Sequence, residues 1–315
     1  MAITTPPDME LLDLEGRGSR SSSGIWRDTL GNLLRQRNAV FGVVVLVTFI
    51  VVAVFADVIA THDPNEVLIG VEGAKKLAPP CIHALGCPAT QPEYYFGIDG
   101  NVRDVFSRVV HGTRVSLRIG FLTVGFAIVI GGLIGALAGY AGGKLDNLLM
   151  RIMDVLLAFP ALLLAIAIVT VLGSGLLNAQ LAIGIVAIPV YARIMRGSVI
   201  SVRERDFVTA SRALGESSFG LLSRRIIPNT LTPLIVVGTL GIADAVLAVA
   251  ALSFLGLGMQ PPDAEWGSMI GIARNTMFAA PHLVLFPGLA LALSVLAFNL
   301  LGDGLRDALD PRLNR

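Results

Sequence analysis

Long apolar runs separated by short polar segments dominate the chain from residue 39 onward. An α-helix rises about 1.5 Å per residue, so a run of about 20 apolar residues can cross a hydrocarbon core of about 30 Å. Six such runs predict an all-α membrane protein with six transmembrane helices. The predicted spans are residues 39–56, 119–141, 155–172, 176–192, 231–259 and 283–301.

The polar segments between these runs divide the chain into predicted regions. In chain order these are a cytoplasmic N-terminal tail with a juxtamembrane helix (1–37), the first transmembrane helix (38–60), an extracytoplasmic loop (61–114), a five-helix core (115–302) and a cytoplasmic C-terminal tail (303–315). The core includes a cytoplasmic polar segment at residues 197–229.

The placement of Lys and Arg residues predicts how the chain is oriented. Cytoplasmic loops of membrane proteins carry an excess of these residues. With six spans and the N-terminus inside, 17 of the 24 Lys and Arg residues lie on the cytoplasmic side. We therefore expect a multi-pass protein of a prokaryotic plasma (inner) membrane with both termini in the cytoplasm. A local exception is the cluster of arginines at the entrance to the second span, Arg103, Arg108, Arg114 and Arg118.

Two spans carry residues that predict how they pack. Gly131, Gly135, Gly139 and Gly143 recur at four-residue spacing in and after the second span. Small residues on one face let helices approach closely in lipid, so this face is predicted to pack against another span. Pro160 interrupts the third span near its start, where neighbouring helices or water must satisfy the carbonyl it frees.

The composition indicates a membrane protein, and the motifs argue against a nucleic-acid partner and an ATP site. The chain is 54% hydrophobic and 15% charged, with a net charge of +1. No basic stripe interleaved with aromatic residues is present, so we expect no nucleic-acid partner. Gly143-Lys144 resembles the end of a nucleotide-binding loop only superficially, because Ala138 and Leu145 replace its required Gly and Ser/Thr. We expect no ATP site and no cofactor in this chain.

No nucleophile, base and orienting acid come together on a predicted soluble segment. We therefore expect a transport subunit and not an enzyme. A membrane hydrolase is the weaker rival, and a pore or secondary transporter is the stronger one.

Residues 206–229 form the one long polar segment between the apolar runs of the C-terminal half. Apolar residues recur there at helical spacing on both sides of Gly215, and Pro228 follows them. These apolar residues are Phe207, Ala210, Leu214, Phe219, Leu222 and Ile226. The pattern predicts two short amphipathic helices joined at the glycine and stopped by the proline. Such a pair is usually offered to a soluble partner, and a loop lying at the lipid interface is the alternative.

This segment resembles the cytoplasmic coupling motif of ABC importer permeases. The motif reads Glu-Ala-Ala, three residues, Gly, nine residues, Ile, any residue, Leu-Pro. Its positions are occupied here by Thr209, Ala210, Ser211, Gly215, Arg225, Ile227 and Pro228. The resemblance implies that these residues, with Leu214 before the glycine, couple the membrane bundle to an ATPase. Thr209 replaces the glutamate and Arg225 the isoleucine of the motif.

Further stretches resemble the second-type (C-type) permease subunit of dipeptide and oligopeptide ABC importers. They are residues 34–38, 96–99, 103–108, 154–160, 253–262 and 299–307. The resemblance covers nearly all of residues 33–313. It implies the six-helix permease fold of type I ABC importers, with a cytoplasmic coupling helix pair and alternating access driven by partner subunits. Importers of nickel chelates, glutathione or other solutes are the alternative within this class.

The same resemblance implies the partners of the chain in the lipid bilayer. They are a homologous second permease, two cytoplasmic ATPase subunits that carry ATP and Mg²⁺, an extracytoplasmic peptide-binding protein and the peptide itself.

Asp244 stands alone in the fifth span. An ionised aspartate at the centre of a span costs on the order of 2.5–3.5 kcal/mol on insertion scales, so it should face a partner or an aqueous pathway. One interpretation is a contact for the amino end of a passing peptide. The other is a hydrogen bond to a neighbouring helix.

Three smaller sets of residues complete the candidates. Asp154 is expected to pair with Arg151 or to cap the third span. Cys81 and Cys87 lie on the predicted oxidising side, where a disulfide, two free thiols or a metal site with His83 are all open. The other histidines, His62, His111 and His282, are scattered singly, so we expect no metal site.

Overall fold

A computed structural model describes residues 31–71 and 74–309 of the chain. Most of the predicted N-terminal tail, residues 1–30, and residues 310–315 of the predicted C-terminal tail lie outside the described residues. The described residues form helices joined by turns and one long outer loop. In chain order the helices are α1 Arg37–Val54, α2 Ala56–Ile59, α3 Val105–Ala141, α4 Gly143–Leu157, α5 Ala161–Leu172, α6 Leu176–Arg203, α7 Asp206–Ala213, α8 Ser218–Phe254, α9 Trp266–Ala273 and α10 His282–Leu309.

Five of these helices, α1, α3, α6, α8 and α10, are long and apolar enough to cross a membrane. A sixth span is present only if the broken pair α4 and α5, which meet at 92°, counts as one. α5 is 12 residues long, or about 18 Å, which is shorter than the hydrocarbon core. The third span predicted at 155–172 therefore comprises the end of α4 and all of α5, and the break predicted at Pro160 is confirmed. Pro160 precedes α5 in an extended conformation and cannot donate the backbone hydrogen bond that a continuous helix requires.

The bundle is built around α3, α6 and α8, which pack against one another. α10 packs against α8 and holds α1 on its other side, while α5 packs against α6. α3 begins at Val105, inside the segment predicted as an extracytoplasmic loop. α8 begins at Ser218, well before the predicted start of the fifth span at residue 231.

Glycines bring α3 and α6 into backbone contact. A Cβ atom on Gly131 would lie 2.6 Å from the Ile188 carbonyl oxygen, and one on Gly139 would lie 2.8 Å from the Arg196 carbonyl oxygen. Gly135 sits between them in the same contact. The predicted packing role is confirmed for these three glycines, because any side chain would force the two helices apart.

Gly143 does not share this role. It has a φ of +58° directly after α3, and a Cβ added there would meet no atom within 4 Å. The prediction that it packs against another span is wrong. Gly142 and Gly143, both with positive φ, form the sharp turn from α3 into α4.

Arginines of α6 fix the turn between α3 and α4. Arg196 makes a bidentate ion pair with the mostly buried Asp146 of α4, at 2.5 and 2.6 Å. Arg203 donates to the Gly139 carbonyl oxygen at the end of α3. Asp154 pairs with Arg193 of α6 at 2.6 Å, so the expected pairing with Arg151 is wrong. Sequence spacing identified the helical neighbour, whereas the tertiary contact reaches a different helix.

Two arginines of the cluster before the second span, Arg103 and Arg108, have polar partners within the chain. Arg103 pairs with Asp99 at 2.9 Å. Arg108 is buried and donates to the carbonyl oxygens of Pro64 at 2.7 Å and Pro262 at 3.0 Å. These contacts hold both guanidinium groups within the chain, where the sequence predicted a local exception to the charge distribution.

Arg114 secures the end of the first membrane helix. It binds the Asp57 carboxylate at 2.8 Å, and His111 lies 3.1 Å from the same carboxylate. The Arg114 guanidinium, followed by His111, holds the pKa of Asp57 below its usual value.

α9 is anchored to α3 by buried polar contacts. The Trp266 indole is fully buried and donates to the Val109 carbonyl oxygen at 3.0 Å. Glu265 caps α9 by accepting from the N–H groups of Gly267 and Ser268, each at 2.8 Å. Burial raises the pKa of Glu265, while these two backbone donors oppose the rise.

Candidate coupling segment

The first part of the candidate segment is α7, which follows α6 after two residues. Val208 is the one buried residue of α7, with no exposed surface, and it belongs to the main apolar core of the bundle. Phe207, which the pattern placed on the apolar face, is 39% exposed. α7 is therefore pinned to the bundle by a single inward side chain.

The turn at Gly215 follows from its backbone geometry. Gly215 has a φ of +86°, and its N–H donates to the Arg212 carbonyl oxygen at 3.0 Å. The next N–H, of Glu216, reaches the Ser211 carbonyl oxygen at 3.2 Å. These two bonds close the end of α7 in a Schellman motif, which favours glycine because it needs a left-handed residue. A Cβ at Gly215 would meet no atom within 4 Å, so conformation and not space requires glycine here.

The second part of the segment is the start of α8. Ser217 caps it by accepting from the Gly220 N–H at 3.2 Å. Leu221 and Ile226 are 1% and 0% exposed and join the same apolar core as Val208. The predicted helix pair is thus present as α7 and the first turns of α8.

We predicted that Pro228 stops the second helix, and this prediction is wrong. α8 continues through Pro228 to Phe254, because a π-helical turn at Leu221–Ile226 precedes the proline. The Ile227 N–H bonds five residues back to the Leu222 carbonyl oxygen. Such a turn and local side-chain donors can supply backbone bonds around a proline. Asn229 does so by donating its amide to the Arg225 carbonyl oxygen at 2.7 Å.

The large apolar side chains nearest the Gly215 turn point away from the bundle. Leu214 is 89% exposed and Phe219 is 80% exposed. They lie on either side of Gly215, and together with Phe207 we call them the apolar cap. Exposed apolar groups of this size form a candidate contact surface for a partner protein or for lipid.

All eight residues predicted for coupling lie in this part of the structure. Six are exposed and two are half-buried. The exposed ones are Thr209, Ala210, Leu214, Gly215, Arg225 and Pro228, and the half-buried ones are Ser211 and Ile227. Sequence reasoning missed the inward anchors Val208 and Leu221, which lie one residue after Phe207 and one residue before Leu222 of the predicted apolar pattern.

Glu216 was also missed, although it links the two parts of the segment. Its carboxylate accepts from Arg225 Nε at 3.1 Å, across the Gly215 turn. The charge directly after the glycine and the arginine nine residues later were the available signal. Arg225 therefore stabilises the turn in a place where the motif carries isoleucine.

Asp244 lies in α8 and is exposed. Within the described residues it makes no hydrogen bond and no ion pair; its carboxylate is close enough to interact electrostatically with the Tyr191 hydroxyl of α6. The structure does not bring Asp244 near the coupling residues, because it stands 16 residues beyond Pro228 on the same helix.

Cys81 and Cys87 form a disulfide, with Cα atoms 5.3 Å apart. The loop they close holds His83, whose ring lies 2.7 Å from the Gln91 carbonyl oxygen. No cluster that could hold a metal ion is found in the described ranges 31–71 and 74–309.

Two family models match the sequence. The model of the binding-protein-dependent transport system inner membrane component matches residues 131–315. The model of the N-terminal TM domain of oligopeptide transport permease C matches residues 24–80. The first match contains the whole candidate segment and Asp244.

Curated proteins resemble the chain over most of its length. The dipeptide transport system permease protein DppC of Alkalihalophilus pseudofirmus is 42% identical over 91% of this chain and 90% of its own. The di/tripeptide transport system permease protein DppC of Pseudomonas aeruginosa is 44% identical over 88% and 89%. The glutathione transport system permease protein GsiD of Escherichia coli is 43% identical over 91% of both chains.

A solved structure has a similar arrangement of helices. An inward-facing structure of the MetNI methionine ABC transporter matches with a TM-score of 0.53 and 19% identity. The match covers 65% of this chain and 98% of the other. At this identity the likeness concerns the fold alone.

Proposed function

The chain belongs to the family of binding-protein-dependent transport system inner membrane components, and from this premise we propose that it imports dipeptides or oligopeptides as one permease of an ATP-driven complex. Family membership confirms the resemblance and the fold class expected from the sequence, a helical permease bundle of a type I ABC importer. It also confirms the expectation of a membrane transport subunit and not an enzyme.

The cargo proposal rests on relatives that are similar along nearly the whole chain. Those named for dipeptides and di/tripeptides are 42% and 44% identical to it. Glutathione is the second candidate cargo, because a permease named for it is 43% identical over the same length. All three cargoes are small peptides with a free ammonium and a free carboxylate group.

The proposed partners are those of a complete importer. A second permease pairs with this chain, two cytoplasmic ATPases carry ATP and Mg²⁺, and an extracytoplasmic protein delivers the peptide. In this arrangement the coupling segment and both termini face the cytoplasm of a prokaryotic cell. Cys81 and Cys87 then lie on the oxidising side, which supports a disulfide in the folded protein.

The observation that carries the coupling role is the apolar cap on a rigid support. Leu214 and Phe219 are exposed on two helices whose inward side chains, Val208 and Leu221, are fixed in the core. An ATPase that buries the cap gains apolar contact area while gripping a rigid body.

The continuous helix α8 can transmit movement of the apolar cap into the membrane bundle. Because Pro228 does not break it, a displacement of Phe219 is carried along one helix from the candidate segment to Phe254. α6 is tied to the same segment through α7. Closure of the ATPases on ATP would therefore move α6 and α8 together, and the bundle would pass between inward-facing and outward-facing arrangements.

Substitution of Leu214 by Asp tests whether the apolar cap binds the ATPase. We expect Leu214→Asp to abolish peptide-stimulated ATP hydrolysis and uptake in the reconstituted complex, because a charge replaces the most exposed apolar residue of the cap. The protein should still insert and fold, since Leu214 touches little of its own chain. Leu214→Met, which keeps an apolar side chain, should retain most of the activity.

Leu85→Asp is the matched control, because Leu85 is 81% exposed in the disulfide loop at the other end of the molecule. We expect it to leave peptide-stimulated ATP hydrolysis near the unchanged level. Normal peptide-stimulated ATP hydrolysis by Leu214→Asp would refute the proposal that the apolar cap binds the ATPase. Uptake that persists without ATP and follows an ion gradient would favour a secondary transporter instead.

A further inference from the structure

The membrane-spanning part of α8 holds a carboxylate that the coupling role does not use. Asp244 lies 13 residues beyond the predicted membrane entry at Leu231 and 10 residues before the helix end at Phe254. These separations correspond to about 20 Å and 15 Å along the helix, so Asp244 is near the middle of a core of about 30 Å.

The packing of α8 fixes the direction in which Asp244 points. Its neighbours on both sides along the chain are buried, with Ile242 8% and Val246 3% exposed. A Cβ on Gly120 of α3 would lie 2.7 Å from Ile242 and 2.8 Å from Val246, so the two helices are in close contact. α8 cannot rotate to bury Asp244 without separating from α3.

A second contact holds the helix next to the carboxylate. The buried Tyr191 of α6 places its hydroxyl directly against Gly241, three residues before Asp244, where a Cβ would collide with it. Gly241 therefore admits the phenol, and the phenol sets the spacing between α6 and α8. The carboxylate is presented by rigid elements, as a binding site requires.

Residues 31–71 and 74–309 supply no cation for Asp244. In the described part of the chain no Lys, Arg or His pairs with it, and no donor hydrogen-bonds to it. A carboxylate at mid-depth that faces lipid is unfavourable, so the exposed side of α8 must be covered by water, by cargo or by another protein. Leu247, one turn further along, is also exposed, so the face combines apolar surface with one placed charge. Ligand sites commonly have that composition.

Resting on the proposed peptide import, we propose that Asp244 lines the transport pathway and binds the ammonium group of the passing peptide. The peptides and glutathione of the candidate cargo classes share this group. A carboxylate complements it by a charge-assisted hydrogen bond. The opposite side of the pathway is then formed by the second permease.

Uptake kinetics test the charge. In proteoliposomes containing the complete complex, Asp244→Asn should lower kcat/KM for ATP-driven uptake of labelled Ala-Ala at least 10-fold. Asp244→Glu, which keeps the charge, should recover a large part of it. Asp303→Asn makes the same chemical change on an exposed aspartate of α10 and serves as the control, with unchanged uptake expected.

Thiol labelling tests the pathway independently of transport. The two native cysteines are joined to each other, so Asp244→Cys introduces the one free thiol of the chain. We expect it to react with the water-soluble cationic reagent MTSET, and Ala-Ala to slow the reaction. Reaction with lipid-soluble N-ethylmaleimide alone would place residue 244 against lipid or protein and would overturn the proposal.

The remaining outcomes separate this proposal from peptide import itself. If the second permease is lost when Asp244→Asn is purified, the carboxylate pairs with that subunit. This result would also overturn the proposal that Asp244 binds the ammonium group of the peptide. Wild-type uptake of Ala-Ala with an unchanged kcat/KM in Asp244→Asn would refute the ammonium contact and leave peptide import standing. Absence of ATP-driven uptake of Ala-Ala and of glutathione by the wild type would refute the proposed cargo. The labelling of Asp244→Cys would then be the remaining test: slower reaction with MTSET in the presence of Ala-Ala would support the contact with a peptide, and an unchanged rate would refute it.

Discussion

The outer end of the bundle and the coupling segment are held in opposite ways. At the outer end, the buried guanidinium of Arg108 binds carbonyl oxygens of Pro64 and Pro262 and so joins three parts of the chain. In the coupling segment, apolar anchors such as Val208 point inward while Leu214 is exposed. The outer end thus holds its buried arginine by polar contacts within the chain, whereas the coupling segment leaves large apolar side chains exposed.

This difference predicts how each region responds to substitution. Directional hydrogen bonds from a buried charge hold one geometry. Apolar anchors on a helix pair position a surface without covering it. Substitutions at the outer end should therefore reduce stability, and substitutions in the coupling segment should reduce transport more than stability.

The largest effect on stability is expected from Arg108→Ala. Removal of the buried guanidinium leaves the Pro64 carbonyl oxygen without this donor and the Pro262 carbonyl oxygen with the longer bond from Arg103, at 3.3 Å. Loss of hydrogen bonds from a charged group costs about 1.5–3 kcal/mol. The midpoint of thermal unfolding of the purified complex should fall, and protease should cut the outer loop. Arg118→Ala removes an exposed arginine from the same helix and should leave both unchanged. Equal midpoints for the two variants would contradict the comparison.

A smaller effect on stability, with a large effect on transport, is expected from Gly215→Ala. Its φ of +86° costs a residue with a Cβ about 1 kcal/mol, which would loosen the turn between α7 and α8. Global unfolding should change little, whereas peptide-stimulated ATP hydrolysis should fall. Gly215→Pro cannot adopt a positive φ and should abolish uptake while the permease still inserts.

Asn tolerates the left-handed region better than Ala, so Gly215→Asn should lie between wild type and Gly215→Ala in stimulated hydrolysis. The reverse order would show that the backbone conformation of Gly215 does not govern coupling. A drop in the global unfolding midpoint as large as that of Arg108→Ala would remove the contrast between the two ends.

The fold was largely predictable because its main signals are local. Apolar runs predicted the long helices, and the spacing of Gly131, Gly135 and Gly139 predicted that α3 packs closely against another span, which the structure shows to be α6. The bend at Pro160 was predicted as a break, but its 92° angle depends on how α4 and α5 pack against the rest of the bundle. Sequence pattern carries no information about that packing.

The sequence predicted the two helices of the coupling segment and the turn at Gly215, but the rest of that prediction was incomplete for a related reason. Helical spacing found an apolar stripe but could not distinguish side chains that contact the core, such as Val208, from those that remain exposed, such as Leu214. The stop expected at Pro228 ignored the π-helical turn before it, because local propensity does not register an alternative hydrogen-bond ladder. The partners of Arg108 are separated from it by tens of residues along the chain, and no spacing rule reaches them.

The smallest effect is expected for the ion pair between Arg225 and Glu216, which refines the comparison at the coupling segment. Arg225 is about half exposed, at 53%, so solvent screens the pair and its coupling energy should be about 0.5 kcal/mol. A double-mutant cycle of Arg225→Gln and Glu216→Gln, read by hydrogen exchange across residues 206–229, measures it. The cycle of Arg193 and Asp154, an exposed pair outside the segment, is the control, and both energies should decline with added salt because exposed charges are screened. A coupling energy as large as the stability lost in Arg108→Ala, and insensitive to salt, would contradict the comparison. It would mean that charge fixes the Gly215 turn in the same way as it fixes the outer end.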